Sequence, residues 1–76
     1  MSRESFIVPL KRWLLRLRYA STLADVQFWS GSIYGMNSAT FLLGAIEPDE
    51  RDRLDDLNIN ARHIREAELR AQGVFA

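Results

Sequence analysis

The sequence predicts an all-α protein: an antiparallel helical hairpin that dimerises into a four-helix-bundle-like assembly. Apolar residues recur along most of the chain at the three- and four-residue spacing of a helix. No stretch alternates apolar and polar residues for long enough to indicate a strand, and no Asn-Gly or Asp-Gly hairpin turn occurs. The length allows one domain, residues 1–76, in which residues 1–8 and 74–76 are expected to be less ordered.

The first helix is predicted at about residues 9–45. Pro9 suits a first helical turn, where its missing N–H removes no hydrogen bond, and Gly44 marks the predicted end. The main alternative is a break at Gly31 or Gly35, because each glycine inside a helix costs about 1 kcal/mol relative to alanine. Such a break would give three helices.

The second helix is predicted at about residues 48–72. Pro48 opens it, and the negative charges of Asp49 and Glu50 suit the positive end of the helix dipole. Gly73 stands where a helix is expected to end. A tight turn between the two helices makes them antiparallel neighbours.

On a helical wheel, the long helix has two apolar faces, whereas the second helix has only one narrow apolar seam. One face comprises Leu10, Leu14, Leu17, Ala24, Phe28, Gly31, Gly35, Ala39, Leu42 and Ile46. The other comprises Leu15, Tyr19, Leu23, Val26, Trp29, Ile33 and Phe41. Because one seam covers only one face, a second chain is needed to cover the other.

A length mismatch supports the same prediction. In a hairpin that turns near residue 47, the second helix ends before it reaches residues 9–19, so Leu10, Leu14 and Leu17 stay uncovered. Burying a leucine stabilises a fold by about 1.5–3 kcal/mol, so leaving several exposed is unfavourable. The sequence therefore predicts a homodimer. The residues expected at its interface are Leu10, Leu14, Leu17, Tyr19, Leu23, Val26, Trp29 and Ile33.

Composition excludes several classes of function. Ten basic and ten acidic side chains give no net charge, which argues against a nucleic-acid binder that relies on positive charge. The absence of cysteine excludes disulfides and thiolate metal sites, and it fits the cytoplasm, the expected location. Residues 27–46 carry no charge, but they include too many polar side chains for a predicted membrane span.

No arrangement of residues indicates catalysis or metal binding. His63 is the only histidine, and no serine lies in a nucleophile-elbow motif. Asp52, Asp55 and Asp56 lack the glycine turn of a calcium loop, so they are read as acidic residues near a helix start. The chain is predicted not to be an enzyme and to need neither cofactor nor metal.

Residues 11–19 alternate cations with leucines and aromatic side chains, a pattern typical of an interface helix or a helix laid into a partner's groove. The predicted function is a non-catalytic protein-binding module, a small inhibitor or adaptor of a larger protein. A small, cysteine-free helical hairpin with two apolar faces and no active site resembles the small inhibitors that bacteriophages make against host proteins. The predicted partner-binding residues are Arg12, Trp13, Arg16 and Tyr34.

Three alternatives remain open at this stage. The first is a peripheral membrane protein anchored by the basic amphipathic segment 6–19. The second is a nucleic-acid accessory protein, in which Trp13 and Tyr19 stack on bases. The third is a purely structural subunit of a larger particle.

Overall fold

The computed structural model describes residues 2–76, and in it three α-helices pack together: α1 (Arg3–Arg18), α2 (Leu23–Leu42) and α3 (Pro48–Ala71). No strand occurs in this range, so the predicted all-α class is confirmed. Ion pairs join the starts of α1 and α3 and also their ends, which shows that α1 and α3 run parallel. The intervening α2 is antiparallel to both.

The prediction of one helix over residues 9–45 is wrong. The chain does break, but at residues 19–22, and both Gly31 and Gly35 lie inside α2. The side chain of Thr22 accepts a hydrogen bond of 3.1 Å from the backbone N–H of Asp25. This N-cap satisfies one of the free donors at a helix start, so α2 begins here without any proline or glycine.

The start of the first helix also differs from the prediction. Ser2 accepts a hydrogen bond of 3.2 Å from the N–H of Ser5, and α1 begins at Arg3 rather than near residue 9. Pro9 therefore lies in the second turn, inside the helix. The segment expected to be less ordered, residues 1–8, contributes the completely buried Phe6; Met1 lies outside the described residues.

The ends of α2 and α3 lie where the glycines predicted them. Gly44 has φ 78° and Gly73 has φ 83°, a left-handed conformation that favours glycine after a helix. In both cases the next residue donates its N–H to a carbonyl of the last helical turn, at 3.0 and 2.9 Å. The tail that follows Gly73 is half-buried at Val74, and the carbonyl of Ala76 accepts a 2.8 Å hydrogen bond from Leu23.

The core draws on all three helices and on both connections. Its buried apolar residues are Phe6, Leu10, Leu17, Ala20, Val26, Ile33, Ile46 and Leu69. Leu10 and Leu17 are thus buried within their own chain, and Leu14 packs against the same cluster. The predicted length mismatch is wrong, because α1 is a separate helix that α3 runs alongside.

The residues expected at a dimer interface lie mainly in this core. Leu10, Leu17, Val26 and Ile33 are buried, and Leu14, Leu23 and Trp29 pack against them. Of the eight, Tyr19 alone is exposed. The buried members of this set therefore pack within one chain.

A buried polar pair joins α2 to α3 beside the apolar core. The hydroxyl of Ser30 donates to Asn58 Oδ1 at 3.0 Å, and Asn58 Nδ2 donates to the backbone carbonyl of Ser30 at 2.9 Å. Buried polar atoms that find partners in this way avoid a desolvation penalty, so the pair fixes how the two helices face each other.

Candidate protein-binding surface

The predicted partner-binding residues are distributed over three places. Arg12 and Arg16 lie together on the exposed side of α1. Trp13 is half-buried against the core, with its ring centroid 6.2 Å from that of Trp29. Tyr34 is exposed on α2, in a separate groove beside α3. The structure brings the two arginines together and separates them from the two aromatic residues.

An open groove of about 450 Å³ runs between α1 and α3. We call it the α1–α3 groove; its lining residues are Lys11, Leu14, Leu15, Arg18, Leu57 and Ala61. Leu15 is 59% exposed and Leu57 is 49% exposed, so each helix contributes a solvent-facing leucine to the groove. The groove has an apolar floor and cationic ends.

The α1–α3 groove exists because α1 and α3 form the least extensive of the three helix contacts. Arg3 bonds Glu50 at 2.7 Å at one end, and Arg18 bonds Glu68 at the other. Within residues 2–76, no further ion pair joins these two helices. Ion pairs therefore join α1 and α3 at both ends, and the α1–α3 groove lies between these pairs.

A second groove, of about 420 Å³, lies on the other side of Leu15, between α1 and α2. Its lining includes Arg12, Arg16 and Tyr19 from the predicted basic segment. Trp29 also lines it. Leu15 lines both grooves, so it forms the ridge between them.

The cations around this ridge differ from those elsewhere in the chain. Seven of the ten basic side chains form ion pairs, namely Arg3, Arg18, Arg51, Arg53, Arg62, Arg65 and Arg70. Lys11, Arg12 and Arg16 form none with any described residue. These three flank Leu15 within one helical turn, and they are free to meet an external anion.

Arg18 differs from those three, because its charge is largely satisfied. Its guanidinium hydrogen-bonds to the carboxylate of Glu68, which raises the pKa of Arg18 and lowers the pKa of Glu68. Arg65 also approaches Glu68, at 3.5 Å. At the Arg18 end of the α1–α3 groove, Glu68 therefore neutralises the positive charge. The positive charge without an ion pair lies at Lys11, Arg12 and Arg16.

Sequence reasoning identified the basic half of this surface and missed the apolar half. On the helical wheel, Leu57 and Ala61 lie in the narrow apolar seam of the second helix, and nothing in the sequence places that seam beside residues 11–18. A signal existed for Leu15, which lies off the stripe formed by Leu10, Leu14 and Leu17. Leucine outside the buried stripe and among cations indicates an exposed apolar contact.

The groups considered for chemistry do not assemble in the described part of the chain. No three histidine, aspartate or glutamate side chains of residues 2–76 converge as metal ligands. His63 is exposed, and Asp55 accepts from Asn37 at 3.1 Å and pairs with Arg51. Over the same residues, no helix is both long and apolar enough to cross a membrane.

Comparison with known proteins leaves the function to be argued from this surface. No protein-family model matches the chain, and no curated protein or solved structure is significantly similar to it.

Proposed function

We propose that this chain is a non-catalytic protein-binding module that receives an acidic, amphipathic helix of a larger protein in the α1–α3 groove. The observation that carries the proposal is the position of Leu15. It is an exposed leucine on the ridge between two grooves, and three cations without intramolecular ion pairs surround it. An apolar contact ringed by unpaired positive charge calls for a partner that supplies apolar and acidic side chains together.

The shape of the groove favours a helical partner. Two parallel helices border it, and residues 11–18 of α1 extend over about 12 Å at 1.5 Å per residue. A helix laid along such a groove presents side chains at positions i, i+3 or i+4, and i+7, which is the usual spacing of anchors in helix-in-groove recognition. Leu14, Leu57 and the Leu15 ridge provide apolar contacts for these anchors.

The charge around the Leu15 ridge favours an acidic partner of a different sequence. Of the three cations without ion pairs, Lys11 lines the α1–α3 groove, and Arg12 and Arg16 line the groove on the other side of Leu15. Lys11, Arg12 and Arg16 attract carboxylates and accelerate encounter with an acidic segment. A second copy that bound through this same surface would bring the same three cations against them and be repelled.

The membrane-anchor alternative is weaker on this fold. Phe6, Leu10 and Leu17, the apolar stripe of segment 6–19, are buried in the core and would have to leave it to enter a lipid surface. A module that covers a helix of another protein needs no chemistry of its own to inhibit or adapt that protein. The proposed role is therefore regulation of the larger protein through binding alone.

The test is affinity capture from a lysate of the source organism with the parent chain and with Leu15→Asp. The variant removes the apolar anchor and places a negative charge among the cations. We expect it to bind the captured protein at least tenfold more weakly, a loss of about 1.4 kcal/mol or more. Chemical cross-linking with mass spectrometry then identifies the bound segment. Its sequence should predict a helix with one acidic and one apolar stripe.

The matched control is Ile59→Asp, the same change at an exposed apolar residue of α3 that lines the groove shared with α2. It should retain the partner. Capture that survives Leu15→Asp, or a bound segment without acidic residues, would show that the α1–α3 groove is not the binding site.

A further inference from the structure

The outward side of α2 is an uncharged surface that no part of the described chain covers. We call it the α2 face; its residues are Ala24, Phe28, Gly31, Gly35, Ala39 and Leu42, all exposed. Phe28 is 61% exposed and Leu42 is 83% exposed. Between residues 26 and 46 the sequence carries no charged side chain. A helix on the surface of a lone domain normally shows solvent a polar, charged side.

The middle of the α2 face carries only small residues, so the helix backbone is accessible there. A Cβ atom added at Gly31 or Gly35 would meet no heavy atom within 4 Å, so neither glycine is required by packing inside this chain. Glycine is also among the least favourable residues for a helix interior. Together with Ala39, the two glycines leave room for another helix backbone to approach closely between Phe28 and Leu42.

The ends of the molecule carry opposite charge. One half contains the last turns of α1 and α3 and the start of α2 (residues 11–31 and 59–76), with seven basic and three acidic side chains. The other half (residues 2–10 and 32–58) has three basic and seven acidic side chains. The two halves lie along an extent of 42 Å, and α2 passes through both.

We propose that the α2 face binds the α2 face of a second copy, with the two α2 helices antiparallel about a two-fold axis near Gly31 and Gly35. A two-fold interface sets a surface against itself, so an uncharged face meets no like-charge repulsion. The antiparallel arrangement places the basic half of each copy beside the acidic half of the other, whereas a parallel arrangement opposes like charges. Charge complementarity and the open glycines thus indicate the same occupant.

This interface is separate from the α1–α3 groove, which contains no residue of α2. A dimer formed through the α2 face therefore leaves both copies of that groove accessible, and two partner helices can bind to one dimer. The inference does not rest on the proposed function, and either can fail alone.

Sedimentation equilibrium of the purified chain tests the inference. The parent is expected to be dimeric, and Gly35→Arg is expected to weaken the dimer at least tenfold, because two arginines would meet near the axis. Asn60→Arg adds the same charge at an exposed position on α3 and should leave the dimer unchanged. Circular dichroism checks that both variants remain helical, and Phe28→Glu replaces Gly35→Arg if that variant unfolds.

A distance measurement tests the orientation. The chain has no cysteine, so Ser21→Cys gives a single spin label per copy. In the antiparallel dimer the two labels lie about 36 Å apart, twice the rise over the twelve residues from 21 to 33. Raising the salt concentration should also weaken the dimer. A parent that stays monomeric at all concentrations, a dimer that Gly35→Arg leaves intact, or a short label distance would each overturn the inference.

Discussion

Phe6 anchors the first turn of α1 in the core. Phe6 is completely buried, although it lies in residues 1–8, which are expected to be less ordered because they form an end of the predicted domain. It continues the stripe of Leu10 and Leu17 toward the N-terminus at helical spacing, and the cap at Ser2 allows the helix to start early enough to include it. The first turn of α1 is therefore held by packing rather than by intrinsic preference.

We expect Phe6→Ala to lower the free energy of unfolding by about 3–5 kcal/mol, because it opens a cavity in a small core. Val8→Ala is the matched control, since Val8 belongs to the same turn but is exposed. That change should lower the unfolding free energy by less than about 0.5 kcal/mol. Urea unfolding followed by circular dichroism measures both. Equal effects would mean that Phe6 does not belong to the core.

At the scale of elements, the sequence predicted the helix ends that depend on backbone restraints. Pro48 restricts its own φ angle, and Gly44 and Gly73 adopt a positive φ that other residues disfavour, so these signals depend little on the rest of the chain. The break at residues 19–22 depends on a threonine cap, which also occurs at positions where no helix starts. Its signal was the spacing of Thr22 and Asp25, and it was too weak to interrupt an otherwise continuous apolar period.

The same break explains why most residues predicted at a dimer interface belong to the core of one chain. A wheel drawn through residues 19–22 keeps one phase for both helices, but the break shifts the phase. Leu10 and Leu17 from one predicted face therefore join Val26 and Ile33 from the other in the core. The remaining halves, with Leu15 and Tyr19 before the break and Phe28 and Leu42 after it, become the exposed surfaces. Both predicted apolar faces exist. Before Thr22 the first face is buried and the second is exposed, and after Thr22 the two exchange these roles.

The cap itself can be tested. We expect Thr22→Ala to lower the free energy of unfolding by about 1 kcal/mol, the usual effect of removing an N-cap side chain. Ser21→Ala removes a neighbouring hydroxyl for which no capping bond is seen, and it should have a much smaller effect. Urea unfolding curves of the two variants, compared with the parent, provide the measurement. A larger loss for Ser21→Ala would place the start of α2 elsewhere.

For the whole molecule, the arrangement of α1 beside α3 depends on long-range contacts. The pairs Arg3–Glu50 and Arg18–Glu68 join residues far apart in sequence, so neither could be inferred from local patterns. The apolar half of the α1–α3 groove follows from the same arrangement. For that reason the cations of the candidate site were predictable from sequence and their apolar neighbours on α3 were not.

The Arg18–Glu68 pair should make stability depend on pH in a defined direction. Arg18 lowers the pKa of Glu68 in the folded chain, so the pair stabilises the fold above the unfolded pKa of glutamate, about 4.3. That contribution is lost as the pH falls through the lower folded value. Glu68→Gln should therefore have a lower urea midpoint than the parent at pH 7, and the difference should shrink toward pH 3.

The control for this titration is Asp56→Asn, which removes an exposed carboxylate that forms no ion pair with the described residues. It reports the effect of losing one negative charge alone. A difference between Glu68→Gln and the parent that persists unchanged at pH 3 would rule out the ion pair as its source.

The hydrogen-bonded contact between Ser30 and Asn58 has a consequence for recognition. If α3 slid by one turn along α2, the amide of Asn58 would lose the hydroxyl and the carbonyl of Ser30, and leaving such groups unpaired costs about 1–3 kcal/mol. Apolar side chains alone would tolerate that slip more easily, since one leucine contact can replace another. Leu57 precedes Asn58 directly, so the amide that resists sliding also fixes where along the α1–α3 groove an incoming side chain meets Leu57.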